Sequence, residues 1–186
     1  QTCALPISIS LLTLAASAVL CLTAEVEDGF TSLMDGKTFN GWKKAVESPD
    51  TWTIKDGAFV AAGPRCHLFY VGDGKPFVSF HLKAEVMTTP GSNGGIYFHT
   101  RYQERGWPKY GFESQVNVTH SDWIKTGSLY GLVNIGRPAC QDNKWWTQEI
   151  IVKGNQVTLI VDGKRIFEYT EPAGAQPGGS FTRKLS

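Results

Sequence analysis

Period-two alternation, broken every few residues by turn formers, is the property of this chain that most narrows its fold. Between residues 77 and 87, Val78, Phe80, Leu82, Ala84 and Val86 fall on one side of an extended chain, and Ser79, His81, Lys83 and Glu85 on the other. That spacing predicts a half-buried strand. Short runs rich in Val, Ile, Phe, Tyr, Trp and Thr recur after Ala24, separated by Gly, Pro, Asn and Asp clusters. Asp56-Gly57, Asp73-Gly74 and Asp162-Gly163 carry the dipeptide favoured where a two-residue hairpin needs positive φ. No segment sustains a helical period over three turns. The pattern predicts an all-β antiparallel sandwich or barrel, and 186 residues suit a single well-buried domain.

Two of these runs are chemically equipped on one face. In Asn93-Gly94-Gly95-Ile96-Tyr97-Phe98-His99-Thr100-Arg101, Ile96 and Phe98 oppose Tyr97, His99 and Arg101. In Gly111-Phe112-Glu113-Ser114-Gln115-Val116-Asn117, Phe112 and Val116 oppose Glu113, Gln115 and Asn117. If the two strands pair, one face gathers an acid, amides, an imidazole, a guanidinium and a phenol, a surface suited to a ligand rich in hydroxyls. The amides of Gln115 and Asn117 each offer donor and acceptor. Trp107 and Trp123, in polar connections, are candidate sugar platforms, whereas of Trp145 and Trp146 at least one belongs in the core.

Charge argues against a nucleic-acid partner: 18 Lys+Arg balance 17 Asp+Glu with no basic block. Ahead of the first charged residue, Glu25, an apolar run ends in small residues near Ala24. It is too short to span a bilayer and fits a secretory signal, so the mature protein is expected to be secreted or periplasmic. Residues 1–8 lack the Met and basic opening of such a signal and are expected to be translated sequencing adapter. The expected organisation is therefore 1–8 artefact, 9–24 signal remnant and 25–186 one domain. Cys66 and Cys140 remain in that domain, either bridged or as two free thiols.

The run from Gly29 to Trp42, the block at residues 93–100, the block at 111–117 and Lys125-Thr126-Gly127-Ser128-Leu129-Tyr130 together resemble the 3-keto-disaccharide hydrolase domain family. The resemblance implies a concanavalin-A-like jelly-roll sandwich of two antiparallel sheets acting on glycosides oxidised at the sugar C3. Family members continue past a Gly-rich turn, whereas this chain stops at Arg183-Lys184-Leu185-Ser186, so C-terminal strands are expected to be missing.

Ordinary glycosidases need two carboxylates, roughly 5 Å apart in retaining enzymes and farther apart in inverting ones. Here the residues sharing the Glu113 face are amides; Glu149 or Asp122 would have to supply the second acid. A 3-keto sugar relaxes the demand, because its carbonyl acidifies the C2 hydrogen and one base can start elimination at C1. Glu113 is the expected base, with Arg101, His99 and Lys125 meeting the enolate charge and His120 protonating the departing oxygen. Lys125 is accordingly grouped with Glu113 and His120 as catalytic. Asn93, Tyr97, His99, Arg101, Gln115, Asn117, Tyr130, Trp107 and Trp123 are the expected sugar contacts. A divalent metal held by Glu113, His99 and His120 is conceivable. The alternative to an enzyme is a non-catalytic carbohydrate-binding module of the same architecture.

Overall fold

A computed structural model describes residues 26–175. The adapter and signal segments, Cys3, Cys21 and the expected C-terminal loss lie outside the described residues. The chain divides into two units, 1–32 and 33–186, and every strand among the described residues lies in the second. They are β1 (Trp42–Lys44), β2 (Trp52–Lys55), β3 (Ala58–Ala61), β4 (Leu68–Tyr70), β5 (Phe80–Val86), β6 (Asn93–Phe98), β7 (Phe112–Asn117), β8 (Trp146–Lys153), β9 (Gln156–Val161) and β10 (Lys164–Thr170). Among the described residues the only helical element is a 3-10 turn, Pro49–Thr51. The all-β expectation holds.

One layer is a four-stranded antiparallel sheet in the order β10-β9-β8-β5. The other centres on antiparallel β6 and β7, with Tyr97 opposite Glu113, Gly95 opposite Gln115 and Asn93 opposite Asn117. Along the second edge of β7, Gln115 N–H donates to Ser128 O at 3.0 Å and Tyr130 N–H to Glu113 O at 2.9 Å. Residues 126–130 thus extend this layer as an irregular third rung. Phe98, Phe112 and Leu129 pack onto Ile150, Val152, Val157 and Leu159 between the layers. Each such side chain contributes about 1.5–3 kcal/mol by leaving water. A polar tie crosses the same space: Gln148 Nε2 donates to Ser114 Oγ at 2.7 Å and accepts at Oε1 from Trp146 Nε1 at 3.2 Å.

Alternation explains most of the sheet. In β8, Trp146, Gln148, Ile150 and Val152 are buried while Thr147, Glu149 and Ile151 are less so. The bulge between Arg165 and Phe167 of β10 interrupts it, so the consecutive Ile166 and Phe167 both pack against core clusters. Asp56-Gly57 and Asp162-Gly163 form the expected hairpins, each with both residues at positive φ.

Two readings need correction. The strand predicted over 77–87 begins only at Phe80; Phe77 and Val78 are more than half exposed, having no partner strand across which to pair. Asp73-Gly74 closes a turn, Gly74 N–H to Val71 O at 3.0 Å, but Pro76 follows and no strand returns. Trp146 is core and Trp145 exposed. Cys66 and Cys140 are free thiols, both half-buried.

Candidate active site

The site is organised by Glu113, on the outward face of β7. Diagonally across the ladder from Glu113, Gly95, which pairs with Gln115, leaves the space the carboxylate occupies: a Cβ there would sit on Glu113 Oε1 and 2.6 Å from its Cγ. Glycine at 95 is therefore what lets the carboxylate take this position. Burial disfavours the charged carboxylate, and the negative charge of Asp122 adds to the effect. The Tyr97 phenol opposes them. Together these effects push the Glu113 pKa up to about 7.

Tyr97 sits beside Glu113 with its hydroxyl buried and completing no hydrogen bond of full geometry, although the two groups are close enough to interact. Burial and then the Glu113 charge hold the phenol neutral far above its usual range. The hydroxyl is a donor without a strong acceptor of its own. Tyr130, aligned with Glu113 through its backbone, donates to Asp122 Oδ2 at 3.2 Å. Asp122 Oδ1 accepts the Ile124 N–H at 3.0 Å, and its own N–H donates to His120 Nδ1 at 3.0 Å. That last bond assigns the proton of a neutral His120 to Nε2.

Asn117 holds this loop in place. It is fully buried, and its Nδ2 donates to Asp122 O at 3.0 Å and Ile124 O at 2.8 Å. Its Oδ1 accepts from His120 N at 3.0 Å and Lys125 Nζ at 3.4 Å. No donor or acceptor is left for a sugar, so Asn117 is a scaffold residue where a hydroxyl reader was expected. Gln115 is likewise buried, its Nε2 shared between Asn93 Oδ1 and Ile124 O at 3.3 Å each. Lys125 Nζ also donates to the backbone carbonyl of His120 at 2.5 Å, so it braces the loop that carries the imidazole.

The expected cations do not gather around Glu113. Strand geometry ends at Phe98, and His99 takes φ 52, which turns its ring against Phe80 and Phe98 on the core side. Its Nε2 meets Val78 O at 3.0 Å. Alternation cannot be extrapolated through a left-handed residue. Arg101 instead lies over the Tyr110 ring at 3.6 Å in a separate cleft. With His99 turned away, the proposed metal set of Glu113, His99 and His120 is not assembled, and no group of three metal-ligating side chains occurs among the described residues. Glu149 is on the far layer, bonded to His81 Nε2 at 2.7 Å, so it is not a partner of Glu113. Asp122 is.

Sequence reasoning missed His67. Its ring meets Tyr97 edge-on at 5.5 Å and Trp107 at 5.5 Å. Burial, reinforced by the Arg65 charge, lowers its pKa below the usual histidine range. Arg65 packs over Trp107 at 5.0 Å and pairs with Glu47 at 2.6 Å. Trp107 is half exposed beside this cluster, whereas Trp123 is exposed and makes no ring contact among the described residues. No local signal singles out His67; only the meeting of the β4 approach with β6 does.

A model of the 3-keto-alpha-glucoside-1,2-lyase-like domain family matches residues 29–182. The chain belongs to this family. A 3-keto-disaccharide hydrolase of Bacteroides thetaiotaomicron is 35% identical over 79 residues, which cover 38% of this chain and 27% of that protein. The chain thus matches about a quarter of that relative's length. Two solved structures from Parabacteroides distasonis, each of a candidate glycosyl hydrolase, share the fold. One has TM-score 0.65 at 23% identity, covering 78% of this chain and 72% of that one. The other has TM-score 0.59 at 19% identity, covering 72% and 68%. These neighbours agree with the all-β sandwich.

Proposed function

We propose that the chain is an exported enzyme that cleaves 3-keto-glycosides, with Glu113 as its base. The observation that carries this reading is the half-buried Glu113 carboxyl, held over Gly95 and tuned to about 7, so that it exchanges a proton near neutral pH. A binding module needs no such tuning. Membership in a family described as 3-keto-alpha-glucoside-1,2-lyase-like supports this substrate class.

In this reading Glu113 removes the C2 proton, which the C3 carbonyl has acidified, and the electron pair moves onto the C3 oxygen. The Tyr97 hydroxyl, buried, neutral and without a committed acceptor, donates to that oxyanion in place of the cations expected from sequence. Collapse of the enolate forms the C1–C2 double bond and breaks the C1–O bond. His120 Nε2–H protonates the departing oxygen, with the Asp122 N–H fixing the imidazole and Lys125 holding the His120 backbone. Addition of water across the double bond completes hydrolysis. Trp107, against the His67 ring that also meets Tyr97, provides the face on which a sugar stacks.

The closeness of Asp122 to Glu113 favours a second reading, a conventional acid and base pair acting on unoxidised sugars. One comparison separates them. A 3-keto-disaccharide should be cleaved and its unoxidised parent should not, while Glu113→Gln should abolish turnover and leave sugar affinity nearly intact. Cleavage of the parent at a similar rate would select the conventional pair; glycan binding without product from either would leave a binding module.

A further inference from the structure

The loop after β6 carries a group of charges that the reaction above does not use. A shallow, open cleft of about 280 Å³ is lined by Arg101, Tyr102, Gln103, Arg105, Lys109 and Tyr110. Three of these are cations, and no ion pair among the described residues engages any of them. Glu104 is the one acid between residues 101 and 110, and it too forms no ion pair there. Glu47, which approaches the same loop, is spent on Arg65 and on the Gly106 N–H at 2.6 Å. Lys43 adds a fourth positive charge, its Nζ 3.8 Å from the centre of the Tyr102 ring. Like charges left unpaired around a hollow repel one another, a cost that an anion would relieve.

The cleft is also built rather than accidental. Gln103 Nε2 reaches the carbonyls of Arg105 at 2.7 Å, Gly106 at 3.1 Å and Trp107 at 2.7 Å, while its Oε1 accepts the Lys109 N–H at 3.0 Å. One side chain thereby shapes the whole loop. Stacking on Tyr110 presents the Arg101 guanidinium as a flat fork with its N–H edges free for an oxyanion. The location suits the neighbouring sugar. Arg101 follows Tyr97 by four residues, so their Cα atoms are no more than about 15 Å apart. A row of ring contacts joins the two places, Tyr102 to Phe69 at 5.3 Å, Phe69 to His67 at 6.0 Å and His67 to Tyr97 at 5.5 Å.

We propose that this cleft binds the oxyanion of an acidic sugar unit, a carboxylate or a sulfate ester, attached through the bond that is cleaved. The preferred substrates are then acidic 3-keto-glycosides. The proposal rests on the enzyme reading for its placement, and its test separates the two. The full chain is given 3-keto-disaccharides whose second unit is glucuronate, glucose 6-sulfate or glucose, at low ionic strength. At least one acidic substrate should exceed the neutral one about tenfold in kcat/KM, and added salt should shrink that preference. Arg105→Gln and Lys109→Gln, both at exposed positions, should each reduce the acidic-to-neutral ratio several-fold. Whichever acid is favoured identifies the oxyanion. In parallel, NMR titration of Glu113→Gln with methyl glucuronide, methyl glucoside 6-sulfate and methyl glucoside reads affinity without turnover. Selective acid binding lost in the Arg105→Gln background supports the cleft even if no substrate turns over, in which case the enzyme reading fails alone. Turnover with equal rates for acidic and neutral substrates, and no selective binding, overturns the cleft and leaves the enzyme standing.

Discussion

Glu113→Gln should make the protein more stable at pH 8 while it destroys activity. The Glu113 pKa rises from 4.5 to about 7 on folding, chiefly because the carboxylate loses water. Below pH 4.5 the group is neutral in both folded and unfolded chains and costs nothing. Between pH 4.5 and about 7 the unfolded chain releases the proton that the folded site retains, so stability falls across that window and levels off above it. At about 1.4 kcal/mol per pKa unit the full cost is about 3 kcal/mol, and partial solvent access trims it toward about 2. Glutamine keeps the shape and removes the charge. Urea unfolding of wild type and variant at pH 5 and pH 8 should therefore show the variant gaining roughly 2–3 kcal/mol relative to wild type between the two conditions. The neutral histidines His67 and His99, whose pKa values burial lowers, titrate in both proteins and cancel in the difference. An equal effect of the substitution at both pH values would refute the claim that Glu113 is held in a charge-resisting site.

Three other outcomes follow from the same geometry. With Glu113 as base, kcat/KM should climb about tenfold per pH unit and level off above about 7; a fall through that range would make the group an acid instead. Gly95→Ala should cost at least about 100-fold in kcat, because the new methyl occupies the carboxylate's place, with little change in unfolding midpoint since the glutamate can swing outward. An unaltered kcat would mean that the seat over Gly95 is irrelevant. Asn117→Ala should destabilise the fold by about 2–4 kcal/mol, since it removes the partner of Asp122 O and His120 N–H and leaves Ile124 O and Lys125 Nζ with one bond fewer each; a loss below about 1 kcal/mol in urea unfolding would contradict the scaffold role.

Much of the sandwich could be read directly. Local patterns decide it: Asp-Gly at Asp56-Gly57 and Asp162-Gly163 makes a hairpin wherever strands flank it, and alternation in β6 and β7 separates Ile96, Phe98, Phe112 and Val116 from Tyr97 and Glu113. Legibility stopped where a single backbone torsion or a distant segment intervened. His99 was assigned to the acid's face by parity, yet its left-handed φ sends the ring to the core. Asn117 shares the Glu113 face but lies beneath a returning loop, and burial by that loop turns a solvent-facing amide into an internal clamp.

Sequence by itself determined the fold class, the family and the strand that carries Glu113, because periodicity, turn chemistry and motif content reside in neighbouring residues. Only the tertiary structure decided the acid's company: Asp122, Tyr130 and His120 from the loops after β7, His67 from the approach to β4, and Arg101 diverted into a cleft of its own. The reason is physical. A carboxylate's pKa and its partners depend on what excludes water and places charge within a few ångströms, and those groups come from segments whose separation along the chain says nothing of their separation in space.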